Sequence, residues 1–524
     1  MIKKILHILI FSITVSSLDA LPSEKEFRAT WVITWEYIGP SFSAETIMEK
    51  IDEIMDNHAD ANMTSVLFQV RQGGTAYYNS SYEPWGYYSN YQNPGFDPLE
   101  YAVEAAHSRG LELHAWFNTF QTSSLQEGAP AQVHPEWICR DRDGNPMSSY
   151  RALSPGLIDV RNYTVDVAME IVNNYDIDGL HLDYVRWNEH SSSMNQTGTT
   201  HEDELNRLDG IISPDELNIL QQRTGRYLYD AEHTYQSGVP SGFSSWEEWW
   251  RFGVTELVHS LHDSIQVVKP FVRLSTAVLG RYNWGGWQGY GTVYQDAALW
   301  FNEGYIDQLT PMHYHWTSPA SFVQMLQGSN QSWGPYIQDG IQNGRLFSVG
   351  PGSYILAENN VWNNHSGIVD DVRDVGYIDG FQFFSYGSWD DYLYWEEAGE
   401  TFFKNKTIVR SIPYNDSTTT HPPIPNLSLI QNSELDYQIE IDPNTNENQP
   451  VWTVISIRPT DSTETSTLIY KIFFESENFT VPLSFNGLQP YQGSYIISVQ
   501  NFNRFWVGSE QFSSVETEII PAFP

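Results

Sequence analysis

From about residue 27 to 388, short apolar runs alternate with stretches whose apolar residues recur at helical spacing. The runs are "FRATWVITW" (27–35), "SVLFQVR" (65–71), "LELHAWFN" (111–118), "GLHLDYVRW" (179–187), "VRLSTAVLG" (272–280), "IDQLTPMHYH" (306–315), "LFSVGPGSY" (346–354) and "GFQFFSYGS" (380–388). Segments such as "PLEYAVEAAHSRG" and "VDVAMEIVNNYDI" lie between them, each with a Gly or Asn near its end, as helices have. Eight strand–helix units in series predict an α/β fold, a (β/α)8 TIM barrel over residues 21–408, rather than an open sheet. The largest insertion, from residue 188 to about 245, follows the fourth run. The Pro- and Thr-rich stretch 409–425 predicts a linker. Beyond it, 426–524 carries short alternating runs ("YQIEID", "VWTVISIRP", "GSYIISVQN", "RFWVGSEQF"), predicting a small all-β sandwich of fibronectin or immunoglobulin type.

Charge narrows the partners. With 65 acidic against 27 basic residues the formal net charge is −38, a field that repels nucleic acid and anionic lipid surfaces. The 19 Trp, 31 Tyr and 26 Phe either fill large cores or offer flat faces on which sugar rings stack. Lys3 and Lys4 before "ILHILIFSITVSS", with Ala20 closing "SLDA", predict a signal peptide over 1–20. That apolar run is too short for a membrane span, and no later stretch has membrane length. A monomer that is secreted, periplasmic or on the cell surface is therefore expected. Cys139 is the only cysteine, which excludes an internal disulfide, so stability must come from the core. Ten Asn-X-Ser/Thr sequons, among them Asn79, Asn162, Asn195 and Asn478, would permit glycosylation in a eukaryotic host.

The fourth run holds His181, Asp183 and Arg186 where a core strand should be apolar. An ionised carboxylate there costs several kcal/mol (roughly) unless it is paired or used. Since barrel active sites form where the strands end, the polar residues at those ends are the candidates. These are Gln69 and Arg71; His114, Trp116 and Asn118; Asp183, Arg186 and Trp187; Arg281 and the loop with Trp284; Tyr314; and Tyr386 with Trp389. Each has a plain alternative: His114 as a core histidine, Arg71 as a counter-ion, Trp284 as packing. No serine nucleophile elbow, phosphate-binding glycine pattern, HExxH or Cys/His metal spacing occurs, so no metal or cofactor is expected. Carboxylates with aromatics fit glycoside hydrolysis, in which two carboxyl groups flank the cleaved bond. Asp183 is the first. For the second, Asp296 and Glu36 are best placed, although Asp296 equally suits a helix N-terminus.

Several motifs in order resemble the glycosyl hydrolase-like 10 family: "FRATWV", "QVRQGGTAYYNSSYEPWG", "DPLEYAVEAAHSRGLELHAWFN", "HPEW", "DIDGLHLDYVRW" and "YIDQLTPMHYHW", spanning about 26–390. The resemblance implies a (β/α)8 barrel, export and cleavage of a polysaccharide such as a peptidoglycan glycan strand. It implies a site on His114, Trp116, Asn118, Asp183, Arg186 and Tyr314. Two departures stand out. Where many members have "DDYFYP" this chain has Asp183–Tyr184–Val185–Arg186, and the usual "PQIYW" is here "PMHYHW", with Met312 in place of Gln. A different sugar is therefore expected. The other expected class is a catalytically inactive carbohydrate-binding protein on a degenerate barrel.

Overall fold

The structure, a computed structural model, describes residues 25–187, 226–328 and 331–412, and in the C-terminal part 421–433, 436–444, 451–460, 467–473, 478–482 and 493–519. The expected signal peptide, residues 188–225 of the insertion and residues 413–420 of the expected linker lie outside them, as do Asn195, Asn330 and Asn415. Eight parallel strands close into a barrel: β1 (Phe27–Val32), β2 (Ser65–Gln72), β3 (Glu112–Asn118), β4 (Gly179–Asp183), β5 (Arg273–Leu279), β6 (Gln308–His313), β7 (Leu346–Pro351) and β8 (Gly380–Phe383). Sequential strands are neighbours, and β1 pairs with both β2 and β8, so the sheet has no free edge among these eight. Nearly every strand residue is buried, as expected where a parallel sheet is covered on both faces.

The helices between strands start where capping chemistry allows. Ser43 accepts from the Thr46 amide ahead of Ala44–Asp60, and Asp97 caps Pro98–Ser108 with the proline at its first position. Ser245 caps the longest, Trp246–Val268. Four apolar runs extend three or more residues past their strands at the C-terminal end, those of β1, β4, β7 and β8. β1 stops at Val32 and Thr34–Tyr37 turns helical. β4 stops at Asp183, because Tyr184 takes a left-handed φ of +50° and swings the chain off the barrel wall. β8 stops at Phe383, followed by the helix Tyr386–Asp391.

After the barrel, seven strands form two antiparallel sheets. β9 (Asn426–Ser433), β10 (Asp436–Asp442) and β13 (Phe479–Pro482) make one. β11 (Val451–Pro459), β12 (Thr467–Phe473), β14 (Gly493–Phe502) and β15 (Ser513–Ile519) make the other, in the order β12-β11-β14-β15. Ile439, Ile441, Ile455, Ile457, Ile497 and Val499 pack between them, giving the expected β-sandwich. Of the expected linker, the first residues are already part of the packing: Val409 and Ile412 are buried, and Arg410 pairs with Asp379 at 2.6 Å.

The segment "RFWVGSEQF" docks on the barrel, at the end where the strands begin. Arg504 binds Asp178 and lies 2.7 Å from Asp176. The Trp506 indole stacks on Trp452 with centroids 4.8 Å apart, and its N–H donates to Glu112 at 2.7 Å. Glu112 also meets Arg273 at 2.9 and 3.0 Å, Ser65 at 3.0 Å and His114 at 3.1 Å. Burial raises the Glu112 carboxyl, but Arg273 and His114 outweigh it and hold it well below the usual range. The same balance, with His107 and Arg504 as the pairing groups, lowers Asp178.

Replacing Trp506 with Ala should therefore destabilise the protein by about 3–5 kcal/mol, since it removes a buried indole and a donor to a buried charge. Urea unfolding followed by fluorescence measures this, and a loss below about 1 kcal/mol would show that the sandwich is not held there. The buried histidines set a pH dependence. Burial pushes His58 and His365 down to about 4, and His181 and His313 down to about 3. The unfolded chain protonates them below about pH 6.5 while the folded chain does not, so stability should fall as the pH drops from about 6.5. Below about pH 4.5 Glu112 and Asp178 add to that loss. Equal urea midpoints at about pH 7 and pH 5 would contradict this.

Candidate active site

A cavity of about 740 Å³ opens at the mouth of the barrel where the strands end. Ile33 and Trp35 reach it from the loop after β1, and Gln69 and Gln72 from β2. Tyr77, Tyr87 and Tyr91 follow in the long β2 loop. Trp116 and Asn118 come from β3, with Gln121 to Gln126 (excepting Thr122) beyond it. Asp183 comes from the end of β4 and Tyr184 and Arg186 from just beyond it, Met312 and Tyr314 from β6 and its loop, and Phe384 from just past β8. Gly73 and Gly74, at φ +65° and +75°, turn β2 back on itself so that Thr75–Ala76 pairs against Arg71 and Gln72 at the rim. A side chain at 73 would strike the Ser123 hydroxyl, so this close approach requires glycine.

The floor is an ordered polar layer on buried aromatics. The Trp31 indole N–H donates to His181 Nε2 at 2.9 Å. Because that nitrogen accepts, the ring proton sits on Nδ1 and donates to the Ser275 hydroxyl at 2.9 Å. Burial, with His114 adding, holds His181 neutral. Trp31 meets Tyr314 edge-on at 6.3 Å, and Tyr314 leans on Phe384 at 5.2 Å. Amides run along one wall. Gln69 accepts from the Thr34 amide at 3.2 Å and donates to Asn118 at 3.4 Å, and Asn118 donates to Gln121 at 3.3 Å.

Asp183 stands at the β4 end and is only 8% exposed. One carboxylate oxygen accepts from the Tyr184 amide at 2.6 Å, and its carbonyl accepts from the Thr119 amide at 2.7 Å. The turn at Tyr184 thus fixes the carboxylate against its own backbone. The Arg186 guanidinium lies over the Tyr184 ring at 4.6 Å. Burial pushes the Tyr314 hydroxyl well above its usual value, the charge of Asp183 adds to this, and Arg186 opposes it. Tyr314 is therefore a neutral phenol beside the aspartate. Among the described residues that line the cavity, Asp183 is the only carboxylate and Arg186 the only cation.

Of the expected site residues, Gln69, Trp116, Asn118, Asp183, Arg186 and Tyr314 are brought together. The others are not on the lining. Arg71 is fully buried, binding Glu83 at 2.6 and 2.8 Å and the Asn118 and Thr119 carbonyls, because β2 points it into the wall. His114 lies at the other end of the barrel in the Glu112 cluster. Trp187 donates to the Trp250 carbonyl at 3.0 Å and Trp389 to Ser353 at 3.0 Å, both in the core. Trp284 is packed parallel to Tyr336 at 6.2 Å, while its loop neighbour Trp287 is 49% exposed. Asp296 caps Ala297–Glu303 and accepts from the Tyr282 hydroxyl at 2.6 Å, the helix-terminus role. Glu36 is off the lining but directly follows Trp35, which is on it. It accepts from the Ile33 amide at 2.6 Å and the Gly387 amide at 2.7 Å, tying the β1 and β8 loops together. Burial pushes its carboxyl up to about 8 against those two bonds, with Asp390 and Asp391 adding to the rise.

Trp35, Gln72, Tyr77, Tyr87 and Tyr91 also line the cavity, though none is among the residues expected from the sequence. The dense "YYSNY" run at 87–91, between the turn residues Gly86 and Asn93–Pro94, was the available signal for the tyrosines. Trp35 carried none, because it falls inside a run with strand character.

The model of the glycosyl hydrolase-like 10 family matches residues 26–341. Glycosyl hydrolase YngK of Bacillus subtilis (strain 168) is 27% identical over 333 residues, covering 58% of this chain and 57% of that protein. Glycosyl hydrolase DigH of Escherichia coli (strain K12) is 25% identical over 331 residues, covering 56% and 66%. The chain thus spans between half and two thirds of the length of these relatives. Among solved structures, the PgaB (BpsB) glycoside hydrolase domain from Bordetella bronchiseptica is 10% identical at a TM-score of 0.44, over 74% of this chain and 100% of that one. The matched segment contains β1 to β6 and the cavity residues they carry, and on that match the chain belongs to the glycosyl hydrolase-like 10 family.

Proposed function

We propose that the protein is an exported glycoside hydrolase acting on an extracellular polysaccharide, with Asp183 as its charged carboxylate. The observation that carries this is the placement of Asp183: a fixed carboxylate in an open cavity whose described lining, Arg186 apart, is uncharged and rich in aromatic rings and amides. Aromatic faces stack on the apolar faces of pyranose rings, and amides bind hydroxyls without selecting for charge. The carboxylate would then stabilise, or bond to, the sugar carbon as positive charge develops there. Export rests on the N-terminal sequence, and the family supports a polysaccharide such as peptidoglycan glycan strands. The strong negative charge favours neutral or cationic polymers.

Hydrolysis also needs a proton for the leaving oxygen. Glu36 is the candidate donor: its carboxyl is held protonated at neutral pH, and Ile33 and Trp35 beside it line the cavity. The second reading, a carbohydrate-binding protein without turnover, is favoured by Asp183 being the only carboxylate among the described lining residues.

Incubation with denuded peptidoglycan and a panel of neutral polysaccharides, read as new reducing ends, separates the two. Asp183→Asn should lower release more than about a thousandfold. Equal release by both proteins would remove Asp183 from the chemistry, and retention on a polymer with no release by either would establish the binder. If Glu36 supplies the proton, activity should decline as the pH rises through about 8, where the acid loses it. Glu36→Gln should be slower and lack that decline. Persistence of the decline in this variant would assign the acid elsewhere.

A further inference from the structure

Trp35, Tyr87 and Tyr91 lie on the cavity lining yet are 49%, 59% and 43% exposed, so their rings project where the cavity meets solvent. Large aromatics left this open on one side of a cavity form a surface rather than a core. The loop that carries the tyrosines is built to hold them. The Gly86 amide donates to the Ala76 carbonyl at 3.1 Å, and the Tyr91 amide to the Gly86 carbonyl at 3.0 Å. A side chain at Gly86 would overlap the Tyr77 hydroxyl, so the turn sits directly on the cavity wall. Asn90 and Tyr91 both adopt left-handed φ, +57° and +58°, an unfavourable conformation for a bulky residue such as tyrosine. Trp35 packs on Tyr88 at 5.8 Å, Tyr88 meets Tyr87 edge-on at 5.2 Å, and Tyr87 meets Tyr91 edge-on at 6.1 Å, so the rings belong to one cluster.

We propose that Trp35, Tyr87 and Tyr91 form a separate subsite that stacks an uncharged pyranose ring of the same polymer chain, away from the bond facing Asp183. This rests on the polysaccharide reading above and adds that the ligand is longer than the cavity. The contact is an aromatic face on C–H bonds, which suits neutral sugars. The cavity charges Asp183 and Arg186 come from β4, whereas the platform belongs to the β1 and β2 loops.

The test is sedimentation with insoluble denuded peptidoglycan, chitin and cellulose, using protein carrying Asp183→Asn so that ligand is not consumed. Adding Trp35→Ala and Tyr87→Ala should weaken retention on whichever polymer binds by about tenfold. Trp35→Tyr with Tyr87 intact should restore most of it, which a purely structural role for the indole would not predict. Unchanged retention of the triple variant would overturn the subsite while leaving the hydrolase reading to the product assay on unsubstituted protein. No retention of the Asp183→Asn protein on any polymer, with no products from the unsubstituted protein, would overturn both.

Discussion

Glu112 is a carboxylate sealed inside the base of a barrel, and the rest of the architecture is arranged around keeping it paired. Arg273 comes from β5, Ser65 from β2, His114 from its own strand, and the Trp506 indole from a different domain. Removing one partner from such a cluster leaves an uncompensated buried charge, which is far worse than never having had the cluster. The sandwich is therefore joined to the barrel by directional bonds, and by the Trp452–Trp506 stack that excludes water from them.

The two ends of the barrel divide the work. At the base, ionised groups are matched one against another, and Arg504 extends the pattern to Asp176 and Asp178. At the mouth charge thins out. Asp183 and Arg186 are the charges among the described residues that line the cavity, and amides and rings make up much of the remainder. Between the ends lies a neutral layer in which Trp31, His181 and Ser275 pass one hydrogen bond along without carrying charge. That layer separates the paired charges of the base from the Asp183 carboxylate at the mouth.

Parity within a barrel strand sets the face a polar residue lies on, but distance along the strand sets the end of the barrel it serves. His114 and Asn118 lie four residues apart on β3, yet one belongs to the base and the other to the cavity. Arg71 and Gln69 are two apart on β2, but the pairing with β3 shifts register between them, and Arg71 is drawn into the wall by Glu83 from a loop that sequence spacing does not link to it. The tryptophans separated in the same way. Trp389 and Trp284 filled cores, whereas Trp35 reached the opening.

The alternation of apolar runs and amphipathic stretches determined the barrel, its strand order and the sandwich, because burial on both faces demands continuous apolar strands and local periodicity records it. The same pattern marked Asp183, since a carboxylate in such a strand has few uses. Tertiary structure alone decided how the chain turns where the strands end: the left-handed residue at Tyr184, the glycine pair at 73 and 74, and the tie from Glu36 to Gly387. These turns set which side chains face the cavity, and they depend on contacts between loops far apart in the chain. A one-dimensional pattern carries no record of such contacts, so the wall of the site became visible only when the barrel closed.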